Sequence, residues 1–195
     1  MNFGEPFGGL MPGARGAVLA VLLRTGAPLT GRRVHALADG HSLGAVQQAL
    51  RDLEQIGVIT SETIGRAGVH RINEANEAIA PLRALASPIE MLTRVVRDAV
   101  QGVDAVIVFG SVARGDAHAT SDVDLAVIAP EAWDGRADLQ QEVQERLGNA
   151  CDVLHLTGDQ FARATEDREP VISEILRDGV PLVGTLPHPS RRRAS

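Results

Sequence analysis

The stretch Val106-Ile-Val-Phe-Gly-Ser-Val-Ala-Arg-Gly-Asp-Ala-His-Ala-Thr-Ser-Asp-Val-Asp-Leu-Ala-Val-Ile128 constrains this chain more than any other. Val106 to Phe109 is an apolar run of strand length with β-branched content. Gly110-Ser111 breaks it, residues 112–121 intervene, and Asp122-Val123-Asp124 opens a second apolar run, Leu125 to Ile128. Side chains alternate faces along a strand, so Asp122 and Asp124 point one way while Val123 and Leu125 point toward a core.

Two carboxylates on one face of a half-buried strand repel each other and are costly to desolvate. A hard divalent cation such as Mg²⁺ removes that cost. Gly110 permits close backbone approach to a ligand, and Ser111 offers a hydroxyl at an expected helix start, where free N–H groups favour phosphate. A third acid, Asp152, lies in the apolar run Cys151 to Leu156. Buried there it requires either a shared metal or an arginine partner.

Gly110, Ser111, the spacer, Asp122 and Asp124, with Asp152 on a later strand, resemble the DNA polymerase β-like nucleotidyltransferases, the minimal nucleotidyltransferases most of all. The resemblance spans roughly Ile89 to Gly184. It implies that Asp122, Asp124 and Asp152 hold two Mg²⁺ ions and carry catalysis. It further implies that Gly110 and Ser111 hold phosphates of ATP or another NTP, with Arg114 and Ser121 in the same nucleotide-binding set. Arg114 has a competing role as an ion-pair partner of Asp116 or another acid.

Composition narrows the alternatives. The chain has 195 residues and is 44% hydrophobic, enough for two small domains. No apolar run approaches a membrane span, and the first residues lack the basic start and apolar stretch of a signal peptide, so a cytoplasmic location is expected. Cys151 is the only cysteine, read as a core residue. Lysine is absent, which excludes a catalytic lysine and a Walker-type phosphate loop. Residues 1–86 hold eight Arg and seven acids, a net of +1, and residues 87–195 hold eleven Arg and eighteen acids, a net of −7. An acidic second half argues against a long nucleic-acid groove there.

The first half reads as helices over Arg15 to Arg24, Gly31 to Ala38 and Leu43 to Ile56, the last two capped by Thr30 and Ser42. Strands follow at Val58 to Ile64 and Val69 to Ile72, around a turn at Gly65 to Gly68. Leu43, Val46, Leu50, Leu53 and Ile56 keep helical spacing. Three helices and a hairpin resemble a winged helix-turn-helix domain. By that resemblance Gln47, Gln48 and Arg51 face DNA bases, Arg66, His70 and Arg71 lie on or near the wing, and Arg32 and Arg33 lie on the preceding helix. A net of +1 is weak for phosphate neutralisation, although homodimerisation would double the basic surface.

The expected fold is α+β: a flexible arm (1–13), a winged helix-turn-helix domain (14–86), a nucleotidyltransferase domain with a mixed sheet flanked by helices (87–185), and a disordered basic tail (186–195). In the second domain the pattern predicts helices over Ile89 to Val100, Arg136 to Leu147, Gln160 to Thr165 and Pro170 to Arg177, and an edge strand over Val180 to Val183. Trp133 is read as a partly buried anchor, with adenine stacking as the rival role.

By the family resemblance, the expected function is metal-dependent transfer of an NMP group from an NTP to a hydroxyl on a protein or RNA. A cognate toxin is one such acceptor, and the winged helix adds DNA binding, an antitoxin-like or regulatory combination. The rival expectation is a DNA-binding transcriptional regulator whose nucleotidyltransferase domain senses nucleotide without turnover. A third is a docking module for a partner protein.

Overall fold

The computed structural model describes residues 1–186. The chain divides into two compact units, Glu5–Pro88 and a second made of Met1–Gly4 with the chain from Ile89 onward.

The first unit contains α1 (Ala14–Thr25), β1 (Leu29–Thr30), α2 (Gly31–Leu37), α3 (Leu43–Gln55), β2 (Ile59–Ile64), β3 (Ala67–Ile72) and α4 (Ile79–Leu85). It is a winged helix-turn-helix fold. Thr30 and Ser42 cap α2 and α3 by accepting from the amides of Arg33 and Ala45. The strands form an antiparallel sheet in the order β1-β3-β2. Pairing begins at Ile64↔Ala67, so the wing turns on two residues, Gly65 and Arg66, where a longer turn was expected. Gly65 takes a positive φ of 65°.

Helix α1 is buried on almost every side, with Val21 and Leu23 joining the expected Val18, Leu19 and Leu22. It is the central helix of its unit, packed by elements around it. In α3 the buried stripe is Val46, Ala49, Leu50 and Leu53. Leu43 and Ile56, expected on it, are 43% and 62% exposed because they sit beyond the two edges of the packed stripe.

The expected flexible arm is instead anchored by aromatic side chains. Phe7 is 1% exposed in the first unit's core, and Phe3 is 7% exposed in the second unit's core. Leu186, expected in the tail, packs partly buried against the core cluster that holds Ile107, Ile128, Phe161 and Ile175; the remainder of that tail, 187–195, lies outside the described residues.

The second unit runs α5 (Pro88–Ala99), β4 (Ala105–Phe109), α6 (Gly110–Arg114), β5 (Val123–Ile128), α7 (Arg136–Leu147), β6 (Cys151–Leu156), α8 (Gly158–Glu166), α9 (Pro170–Asp178) and β7 (Val180–Val183). The sheet is mixed, in the order β6-β5-β4-β7, with β5–β6 parallel and the other pairs antiparallel. Strand alternation sorts the core into two layers. Val106, Val108, Val123, Leu125, Val127 and Val153 join Leu92 and Val96 of α5 and Leu139, Val143 and Leu147 of α7. Ala105, Ile107, Ala126 and Ile128 join Phe161 and Ala164 of α8 and Ile172 and Ile175 of α9 on the opposite face. Central strands covered on both faces need near-continuous apolar sequence, which β4 and β5 have.

Among the described residues, no helix is long and apolar enough to cross a membrane.

Candidate functional site

The site begins where β4 meets α6. Phe109 is extended, and Gly110 turns the chain with φ at 67°. Phe109 pairs with Asp124 across the antiparallel register. A Cβ on Gly110 would lie 2.3 Å from Asp124 Oδ2 and 3.2 Å from its Cγ. Glycine is therefore required twice, for its backbone conformation and for the carboxylate resting on it. The close approach anticipated for a ligand is made by the chain's own Asp124. Helix α6 is only five residues long, so its macrodipole is small, and the phosphate reading rests on the Gly110–Ser111 turn.

Asp124 and Asp152 are direct neighbours across the parallel β5–β6 register. Their chain neighbours Val123, Leu125, Cys151 and Val153 all point into the α5–α7 layer, so both acids emerge on the α8–α9 face. Asp122 lies just before β5 and is exposed. Burial pushes Asp124 above the ordinary carboxylate range; Asp152, Asp122 and Glu174 push it further up, and Arg114 pulls it down. Among the described residues none of the three aspartate side chains accepts a hydrogen bond or pairs with an arginine.

Two expectations need correction. Asp152 is exposed, so the cost of burying an acid in an apolar run does not arise; alternation turns it outward while its neighbours are buried. Nor do the three aspartates form a ready-made cage: among the described residues no group of three or more His, Cys, Asp or Glu is arranged to hold a metal ion. What stands there is a facing pair, Asp124 and Asp152, flanked by Asp122. Mutual repulsion of unshielded carboxylates opposes closer approach. The donor chemistry, all carboxylate oxygen with no basic partner, is that of a hard divalent cation.

Of the expected nucleotide-binding residues, Ser111 is half-buried with its hydroxyl unclaimed by any hydrogen bond among the described residues. Ser121 Oγ accepts from the His118 amide at 2.8 Å, so it braces the loop before Asp122. Arg114, expected at a phosphate, is held by two acids instead. Its Nε donates to Asp116 Oδ2 at 3.3 Å, and its Nη1 donates to Glu174 Oε1.

Two residues escaped the sequence reading. Glu174, on α9, reaches the site from 60 residues beyond Arg114 in the chain, with no local signal to mark it. Asn149, 3% exposed, donates to the carbonyls of Met1 at 3.0 Å and Ser121 at 3.1 Å, fixing the backbone just ahead of Asp122. A buried asparagine inside an otherwise ordinary helix-ending Gly-Asn pair was its only trace. Cys151 is buried as expected, and burial, then Asp152, Asp124 and Asp122, push its thiol up to about 12. Trp133 is partly buried against the α5–α7 layer and meets His155 edge-on at 5.1 Å, as an anchor would.

In the first unit, Arg32, Gln47, Arg51 and Arg66 line one groove of about 690 Å³ between α3 and the wing, together with Glu54 and His70. Burial lowers the His70 pKa, with Glu54 pulling the other way, and His70 Nδ1 lies 2.8 Å from Ser61 Oγ. Gln48 does not share this groove. Consecutive helical residues diverge by about 100°; Gln48, outside the lining, donates to Asp52 at 2.7 Å and accepts from the groove residue Arg51 at 2.6 Å. Arg33 and Arg71 are also outside its lining; Arg71 donates from Nε to Thr60 Oγ1 at 3.3 Å.

Residues 90–184 match the family described as Polymerase beta, Nucleotidyltransferase. No protein among the curated ones matches the chain. Similar solved structures include a toxin–antitoxin with AMP-PNP, at 25% identity over 50% of this chain and 74% of that one, with a TM-score of 0.39. Another is the MNT antitoxin in complex with tri-AMPylated HEPN toxin from Shewanella oneidensis, at 22% identity over 50% of this chain and 70% of that one, TM-score 0.34. A third is TrmBL2, an archaeal chromatin protein, at 16% identity over 85% of this chain and 72% of that one, TM-score 0.31. The last three are likenesses only, and the family match together with the Gly-Ser turn and strand-borne aspartates carries the assignment. Residues 90–184 thus match the polymerase β-type nucleotidyltransferases, in a chain whose preceding residues fold as a winged helix-turn-helix.

Proposed function

We propose that this protein transfers an NMP group from an NTP, ATP first among them, to a hydroxyl on a protein or RNA. The observation that carries the reading is the unpaired Asp124–Asp152 couple lying against the Gly110 turn. In this reading the Gly110–Ser111 backbone and the Ser111 hydroxyl hold the β- and γ-phosphates. Asp152 accepts the proton of the acceptor hydroxyl, whose oxygen attacks the α-phosphorus as the bond to the β-phosphate oxygen breaks and pyrophosphate leaves. Mg²⁺ held by Asp122, Asp124 and Asp152 would offset the charge gathered on the leaving group. Asn149 keeps the Ser121–Asp122 backbone still while this happens.

The test is transfer of label from [α-³²P]ATP to protein and RNA fractions, with pyrophosphate release followed in parallel. Label should require Mg²⁺ and disappear in Asp122→Ala; equal labelling by that variant refutes the reading. A toxin of the HEPN class is the first acceptor to try, since an antitoxin of the MNT class is among the similar structures.

A second reading is a DNA-binding regulator that senses nucleotide without turnover. Two observations favour it: the cationic groove between α3 and the wing, and the lack, among the described residues, of three acids arranged around one point. Calorimetry with ATP and Mg²⁺ beside a gel shift on the protein's own upstream DNA separates the two. Nucleotide and DNA binding with no pyrophosphate release favours the regulator.

A further inference from the structure

Arg114 lies one helical turn beyond Gly110, on the same side of α6. It influences the charge of Asp124, so it lies within electrostatic reach of the acids. A guanidinium so situated is suited to a triphosphate oxygen. Its fork is nevertheless engaged by Asp116 from its own loop and by Glu174 from α9, an ion pair in which both side chains are about one-third exposed, 37% and 32%. Glu174 also acts unfavourably on Asp124. It therefore brings a negative charge toward an already acidic cluster, where the compensation it has is Arg114 itself, with Arg177 acting from its own helix.

We infer that Glu174 is a stand-in for phosphate: its carboxylate occupies Arg114 until an NTP takes its place, so that it sets nucleotide affinity and couples it to the divalent cation. This rests on the nucleotide-binding reading above. An incoming triphosphate oxygen must displace the Glu174 carboxylate from Arg114. The freed carboxylate then faces Asp124 and the triphosphate, a repulsion that cation charge offsets. Without cation the exchange is unfavourable, so Glu174 discriminates against metal-free nucleotide. A purely structural α6–α9 strut would act on folding and not on this metal dependence.

The experiment is calorimetric titration of the full chain with ATP, once with Mg²⁺ and once with EDTA, for wild type, Glu174→Gln, Glu174→Asp, Arg114→Gln and the Glu174→Gln/Arg114→Gln double variant. Melting curves establish that each is folded. Glu174→Gln should tighten metal-free ATP binding about three- to fivefold, the range a partly exposed ion pair supplies, and tighten Mg-ATP binding less. Glu174→Asp should return toward wild type. Arg114→Gln should bind more weakly, and Glu174→Gln should tighten binding less in that background than in wild type, because competition for Arg114 is gone and only the carboxylate's repulsion of the triphosphate is left to relieve. If wild type binds Mg-ATP but Glu174→Gln is unchanged or weaker, or if its tightening is undiminished in the Arg114→Gln background, the stand-in role is overturned while the nucleotide site survives. If wild type binds no nucleotide with Mg²⁺, the nucleotide site itself is refuted, and this role with it.

Discussion

The two candidate sites leave opposite charges unanswered. In the groove of the winged-helix unit Arg32 and Arg66 have no ion pair among the described residues, although Glu54 shares the lining. At the aspartate cluster of the nucleotidyltransferase unit Asp122, Asp124 and Asp152 are left bare, while the nearby Arg114 is engaged by Asp116 and Glu174. An unneutralised charge lowers its own energy by recruiting a partner of opposite sign. The groove therefore presents positive charge and the aspartate cluster negative charge. Net charge by itself would have missed this, since the first half is nearly neutral.

The contrast breaks most decisively at Asp124. Asp124→Asn should cut label transfer by about 10²- to 10³-fold, the scale of removing one key electrostatic group. If the variant transfers normally, the bare acids are surface charge and the contrast has no functional meaning.

Gly110→Ala tests the backbone that presents those acids. The added Cβ meets Asp124 Oδ2 at 2.3 Å and the residue must hold a positive φ. A loss of about 1–3 kcal/mol in denaturant unfolding is expected, with nucleotide binding lost as Asp124 is pushed aside. An unfolding midpoint equal to wild type would mean the turn relaxes freely.

The cationic side is sharpened by salt. Arg51→Ala and Arg66→Ala should weaken duplex DNA binding and lower the slope of log affinity against log salt by about 1 each, as expected for one phosphate contact apiece. Gln47→Ala should cost more than Gln48→Ala, because Gln47 lines the groove whereas Gln48 lies outside it, held by Asp52 and Arg51. Fluorescence polarisation over a salt series measures both, and an equal cost for the two glutamines would return Gln48 to the interface.

The smallest effect concerns His70. Its pKa is lowered from the ordinary 6.5, so as pH falls through that value the unfolded chain takes up a proton before the folded one does. Stability of the winged-helix unit should therefore decline as pH drops below about 6.5 and level off once His70 itself protonates. His70→Gln should flatten that slope in urea titrations between pH 5 and 8.

Much of this architecture was readable residue by residue. Helix α7 begins and ends as its Leu139, Val143 and Leu147 stripe and the Gly148 stop predict, and β6 and β7 have the expected bounds. Those signals are local: a stripe of period near four, an apolar run, a glycine in the left-handed region. Strand alternation also bore on the site, since it groups Asp122 with Asp124, but only the parallel β5–β6 register sets Asp152 beside Asp124. Where the reading failed, the deciding contact was distant. The arm looks mobile because glycine and proline dominate it, yet Phe7 joins a core that begins at Val18 and Phe3 one that begins at Leu92. Leu43 and Ile56 obey helical spacing but fall past the edge of what α3 packs against.

From sequence alone came the turn at Gly110–Ser111, the strand-borne aspartates and the family they announce, because each depends on backbone geometry within a few residues. Only the tertiary structure decided what those charges meet. Whether Arg114 is free or held depends on α9 folding back beside α6, and whether Gln48 looks into the groove depends on which face of α3 lies toward the wing. Electrostatic partnership is set by distance in space, and helical or strand periodicity carries no information about a partner 60 residues away.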